Sequence, residues 1–184
     1  MNGRNQFEEN LLRSLKKKEP GSWKRWYDQV SPGLFSLTLR YVHDYDTACD
    51  VLQNSFLKIM DSLPQFQFRG EGSLRAWASR IVINESLGEL KKRGKLDRFD
   101  DLSLIEQEQE EPQVQNLSSE EIIELVGVLP DGYRVVFNLF VIENKSHKEI
   151  AQLLGISEST SASQFYRARK MLSRLIKEYQ TIND

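Results

Sequence analysis

Apolar residues recur at helical steps over most of this chain, stop at residue 97 and resume at 119. The interval, residues 97–118, holds seven acidic residues and one basic residue and has no apolar stripe. A stretch of that kind buries too little surface to fold alone. It reads as an acidic flexible linker between two separate units.

The residues on either side are helical in pattern, and none alternates as a strand would. Phe7 to Lys18 places Phe7, Leu11, Leu12 and Leu15 on one face. Ser22 to Tyr41 does the same with Trp23, Trp26, Tyr27, Val30, Leu34, Leu37 and Tyr41, and Pro32 and Gly33 are expected to kink or split that run. Asp46 to Ser62 carries Leu52, Phe56, Ile59 and Met60; Ser73 to Lys92 carries Leu74, Trp77, Ala78, Ile81 and Val82. The expected fold is all-α: a helical domain over 1–96, the linker over 97–118, and a second helical domain over 119–184. Hydrophobic residues make up 39% and charged ones 28%, which suits small helical units with much surface.

Several classes are set aside by simple counts. Every apolar run is shorter than the roughly 20 residues of a membrane span. The N-terminus lacks a signal-peptide core, so a cytoplasmic protein is expected. The single cysteine, Cys49, allows no internal disulfide and no thiolate zinc cage. His43 and His147 are far apart, with no HExxH pattern. Neither a metal nor another cofactor is expected.

The net charge of −2 conceals its distribution. The three segments carry +5, −6 and −1. Within the last, Arg167, Arg169, Lys170, Arg174 and Lys177 fall in a run from 159 to 177 that has no acid. That local excess is the footprint of a nucleic-acid contact.

The most specific local pattern is SHKEIAQLLGISESTSASQFYRARKMLSRL. Ser146 can cap a short helix with Glu149 as its capping-box partner. Ile150, Ala151 and Leu154 form the buried side, and small Ala151 lets a second helix cross closely. Gly155 supplies a left-handed turn, Ile156 plugs the corner, and Ser157 caps the next helix. Phe165, Ala168, Leu172 and Leu175 then repeat at helical spacing. This is helix-turn-helix grammar, in which the second helix enters the major groove by its N-terminal end. Ser159, Ala162, Ser163, Tyr166, Arg167 and Lys170 are left facing outward. Ser161 stands where an apolar residue usually packs, with Gln164 close behind.

A second constellation lies in FQFRGEGSLRAWASRIVINESLGELKKR, residues 66–93. Gly70 and Gly72 mark a loop and Ser73 a helix cap. Arg80, Asn84 and Lys91 share an arc bordered by Trp77. Aromatics beside arginines and an amide suit unpaired bases, which need a stacking platform and a positive track. The plainer alternative is that Phe66, Phe68 and Trp77 are ordinary core residues.

These residues in this order resemble the extracytoplasmic-function (ECF) sigma factors, the two-domain members of the sigma-70 class of bacterial RNA polymerase initiation factors. DTACDVLQNSFLKIMDSLPQFQFRGEGSLRAWASRIVIN is similar to the family's second region. LPDGYRVVFNLFVIENKSHKEIAQLLGIS, running into YRARKML, is similar to its fourth. The resemblance implies two all-helical domains. It also implies a factor that binds core polymerase at the clamp helices and flap, recognises a promoter and helps open it, with an anti-sigma factor as a further partner.

By resemblance, Asp50, Gln53 and Asn54 face the clamp helices, with Asn54 where the family usually has an acid. Phe68, Arg69, the Gly70–Ser73 loop, Trp77 and Asn84 lie at the −10 element and hold a flipped base. Arg80 and the run from Lys91 to Lys95 sit near phosphates. Ala162, Ser163, Tyr166 and Arg167 align with the −35 reading face, where Ala162 and Gln164 each replace a family basic residue. The acidic linker is similar to the segment that threads toward the RNA exit path.

Two rivals fit less of the chain. A helix-turn-helix regulator leaves Phe68 to Asn84 unused. A hydrolase built on Asp44, Asp46 and Asp50 lacks a nucleophile–base pair, and those acids more simply offset a helix dipole. No enzymatic activity is expected.

Overall fold

The computed structural model describes residues 3–96 and 117–183. These residues form helices and turns, with no strand among them. The chain divides into two compact units, Met1–Glu89 and Leu90–Asp184, the boundary falling in the last turn of a helix. The expected linker lies outside the described residues except for Leu117 and Ser118. Both belong to the second unit: Leu117 packs on its core and Ser118 caps a helix.

The first unit contains α1 (Gly3–Lys16), α2 (Ser22–Val42), α3 (Tyr45–Ser62) and α4 (Ser73–Lys92). A 3-10 turn, Leu63–Gln65, follows α3. Leu12 and Leu15 of α1 are buried, as are Trp26, Leu34, Leu37 and Tyr41 of α2. Trp26 meets Phe56 of α3 edge-to-face at 6.0 Å. Of the kink or split expected at Pro32 and Gly33, the split does not occur: α2 is one continuous helix with Pro32 inside it. Gly33 has a tertiary use: a Cβ there would meet the Arg75 guanidinium at 2.9 Å, so the helix passes close beneath that side chain. Asp44 caps α3 by accepting the Thr47 N–H at 2.8 Å, which is the plain structural role expected of an acid at a helix start.

The second unit contains α5 (Ser119–Gly127), α6 (Asp131–Phe137), α7 (His147–Leu154) and α8 (Glu158–Asn183), with a π-helical turn, Asn138–Ile142, extending α6. Leu125, Val126 and Leu129 pack with Ala168, Leu172 and Ile176 of α8. Arg134 is 4% exposed, yet its guanidinium is not wasted. It donates to the carbonyls of Gly127 (3.2 Å) and Leu129 (2.8 Å) and pairs with Asp131. It thereby ties the end of α5 to the start of α6. Burial pushes its pKa below the ordinary arginine value, and the Asp131 carboxylate opposes that shift.

Candidate nucleic-acid interface

The helix-turn-helix is built from local rules. Ser146 Oγ accepts the Glu149 N–H, and the Glu149 carboxylate accepts the Ser146 N–H at 2.8 Å. The Ser146 hydroxyl, donating to the Glu149 carboxylate at 2.7 Å, and then the Ser146 N–H hold the Glu149 pKa below the usual carboxylate range. Gly155 sits at φ +73°, a conformation a Cβ resists. Its N–H and that of Ile156 both return to the Ala151 carbonyl, at 2.9 and 3.1 Å, closing the turn. Ser157 Oγ then accepts the Thr160 N–H at 2.9 Å and starts α8.

On α8, Ser159, Ala162, Ser163 and Tyr166 are exposed, and Tyr166 reaches 64%. Arg167 is half-buried. Lys170 departs from the outward placement expected for it. Helix phase groups its Cβ with Ser163 and Tyr166, but its ammonium is shielded from solvent and has no hydrogen-bond partner. Gln164 also departs from its expected place beside the groove: it is 2% exposed and belongs to the interior. Two residues from Ala162 is about 200° around a helix, which turns Gln164 inward.

Ser161 is fully buried where an apolar residue would ordinarily pack. Its hydroxyl is matched by His147 Nδ1 at 3.0 Å. The His147 ring stacks on Phe140 at 4.5 Å and lies 5.8 Å from Phe165. One histidine therefore joins α7, α8 and the π-helical turn. The sequence reading gave His147 no part in the motif; a polar residue at Ser161 was the signal that a partner must exist.

In the first unit, Asp50, Gln53 and Asn54 are all exposed on α3, while Val51, Leu52, Ser55, Phe56 and Ile59 face inward. Met60, placed by periodicity on the inner stripe, is instead 47% exposed. It stands one turn beyond Leu57, which is also exposed, and Leu57 lies four residues after Gln53. The polar face thus continues into two apolar side chains that sequence reasoning had not assigned to it.

The remaining candidates gather around the start of α4. Phe66 is buried and packs against the half-buried Trp77 at 4.9 Å, so Phe66 is a core residue. Phe68 is half-buried; Arg69, Arg80 and Asn84 are exposed. Gly70 (φ +110°) and Gly72 (φ +80°) carry the chain through backbone that side chains resist. Ser73, expected as the cap, is half-buried and is the first residue of α4, and its hydroxyl accepts the Arg69 N–H at 3.2 Å. The amides of Gly72 and Leu74 are taken instead by Glu8 of α1, at 2.5 and 2.9 Å. Lys91, Lys92, Arg93 and Lys95 are exposed beyond.

Among the described residues, no helix is long and apolar enough to cross a membrane, and no cluster of acids, histidine and cysteine could hold a metal.

Comparison with known proteins agrees with this geometry. Residues 26–96 match the model for sigma-70 region 2, and residues 119–172 match that for sigma-70 region 4. The ECF RNA polymerase sigma-E factor of Haemophilus influenzae is 28% identical over 153 residues, 76% of this chain and 79% of that protein. The RNA polymerase sigma-H factor of Pseudomonas aeruginosa is 26% identical over 156 residues, 78% of this chain and 80% of that protein. A solved complex of the sigma factor RpoE with the anti-sigma factor NepR from Bartonella quintana shares the fold. Its TM-score is 0.50 at 24% identity, covering 85% of this chain and 98% of that one.

The chain belongs to the sigma-70 family of RNA polymerase initiation factors. It is of the two-domain ECF type, a non-enzymatic factor that binds core RNA polymerase and promoter DNA and directs promoter-specific initiation.

Proposed function

We propose that the two units divide the promoter between them. Residues 1–96 form the core-polymerase and −10 domain, 97–118 a linker, and 119–184 the −35 domain. Phe68, Arg69, Ser73, Trp77, Arg80 and Asn84 hold the unpaired −10 strand. Ser159, Ala162, Ser163, Tyr166, Arg167 and Lys170 read the −35 duplex, with Lys170 swinging out to do so. Asp50, Gln53 and Asn54 meet the clamp helices. The protein acts in the cytoplasm, and an anti-sigma factor is among its partners, as it is for the Bartonella relative.

One observation carries the −10 assignment. Trp77 is backed by Phe66, remains half-exposed, and shares α4 with the exposed Arg80 and Asn84, three and seven residues further on at helical spacing, with the exposed Arg69 in the loop before it. A braced aromatic with flanking cations is what an unstacked base and its phosphates require. Extruding a base costs a few kcal/mol, which such a platform offsets.

Promoter opening, followed by permanganate reactivity of unpaired thymines, tests the division. Trp77→Ala and Asn84→Ala should keep −35 recognition but lose opening, by about 5- to 100-fold for the stacking residue. A premelted bubble should restore Trp77→Ala in part. Arg167→Ala should instead weaken −35 binding, by roughly 1–3 kcal/mol and sequence-dependently for a base contact. Parent-like opening by both α4 variants would return Trp77 to a purely structural role.

A further inference from the structure

The helix α1 precedes the segment matched to region 2, which starts at residue 26, and nothing above gives it a function. It nevertheless touches both ends of the segment that leads into the reading loop. Lys16 Nζ donates to the carbonyls of Pro64 at 3.2 Å and Phe66 at 2.8 Å. Two turns earlier on the helix, the Glu8 carboxylate accepts from Gly72 and Leu74, one oxygen to each amide. Charge complementarity runs the right way at each contact: a cation on carbonyls, an anion on helix-start amides.

Apolar packing beside Glu8 is incomplete. A cavity of about 580 Å³ lies between α1, α2 and the start of α4, with Phe7, Glu8, Trp26, Gly72 and Arg75 in its lining. Two glycines at positive φ make the loop costly to order without an external hold. Glu8 reaches Gly72 and Leu74 along the wall of this cavity, and Lys16 holds the other end of the segment outside it.

We propose that α1 is a splint for the −10 loop, with Glu8 and Lys16 as positioning residues that set the conformation of residues 66–74 and so the −10 base preference. The proposal rests on the −10 assignment of that loop. A second consequence follows from the occupancy of the amides. Gly72 and Leu74 spend their N–H groups on Glu8, so the loop presents side chains, not a backbone anion cradle, to the DNA strand. A displaced Glu8 would free those amides and let the loop sample several shapes. Base preference would then widen before opening was lost.

The test uses the full-length chain with core polymerase, comparing Glu8→Ala, Glu8→Gln and Lys16→Met. The last keeps the apolar stem and guards against a failure of α1 to fold, which circular dichroism would reveal. Amide hydrogen exchange should quicken about tenfold at Gly72 and Leu74 in Glu8→Ala, and less in Glu8→Gln, which keeps one acceptor. The ratio of opening rates between the preferred −10 sequence and single-base variants should shrink several-fold in Glu8→Ala and partly recover in Glu8→Gln, while −35 recognition stays constant. Unchanged exchange, or loosened amides with the parent's −10 discrimination, would overturn the splint. Trp77→Ala and Asn84→Ala run alongside. If they too opened promoters normally, the −10 assignment itself would fall; if they were impaired while Glu8→Ala discriminated normally, only the splint would.

Discussion

The second unit secures most of its helix starts locally; in the first, α3 is capped locally by Asp44 but α4 is not. In the second, α5, α7 and α8 are capped from within three residues: Ser118 with Glu121, Ser146 with Glu149, Ser157 with Thr160, while α6 starts at Pro130 without a side-chain cap. In the first, α4 takes its acceptor from Glu8, 64 and 66 residues away. A local cap is present as soon as its helix forms. A distant one exists only when α1 has docked. The start of α8 is therefore shaped by its own sequence, whereas the loop before α4 depends on the assembled domain.

The comparison would break most visibly at Arg134, where the second unit relies on a buried charge to connect successive helices. Arg134→Ala leaves the Gly127 and Leu129 carbonyls without that donor and the Asp131 carboxylate with only Lys95, at 3.5 Å. It should cost about 3 kcal/mol, read as faster amide exchange in α5, α6 and α8 and not in α1–α4. Equal loosening of both units would show that they do not unfold independently.

A smaller effect separates local from distant capping. Ser146→Ala should cost about 1 kcal/mol and fray α7. Ser73→Ala should cost only a few tenths, since the Ser73 hydroxyl caps no α4 amide and accepts only the exposed Arg69 N–H, while Glu8 holds the Gly72 and Leu74 amides. Glu149 adds a pH signature. Its folded pKa is depressed, so its contribution is present above the ordinary carboxylate range and is lost as pH falls through the folded value. Ser146→Ala should flatten that acid limb in a thermal melt taken across pH.

The smallest expected change is at Lys170. Its shielded, unpartnered ammonium is a cost to the free protein, so Lys170→Met should leave stability unchanged or raise it by a few tenths of a kcal/mol. Affinity for −35 duplex should nevertheless fall uniformly across sequences, with a salt slope reduced by about 1, because the swung-out ammonium meets a phosphate. A loss confined to one base position would assign it a base contact instead.

Sequence by itself determined whatever acts over one or two helical turns. The helices of both units, the Ser146–Glu149 box, the Gly155 turn and the exposed Ser159–Tyr166 face follow from spacing, because backbone geometry alone brings residues three or four apart together. The order of the two matched regions made the family legible as well. Tertiary structure decided the rest. The buried Ser161 hydroxyl found its partner in His147, which arrives from another helix with a hydrogen-bonding nitrogen. Trp77 became a braced, half-open platform only once Phe66 packed behind it. Met60 left the inner stripe that periodicity gave it, and Glu8 replaced Ser73 as the keeper of the α4 start. Each of these depends on which helices meet and at what angle, and no local spacing encodes that.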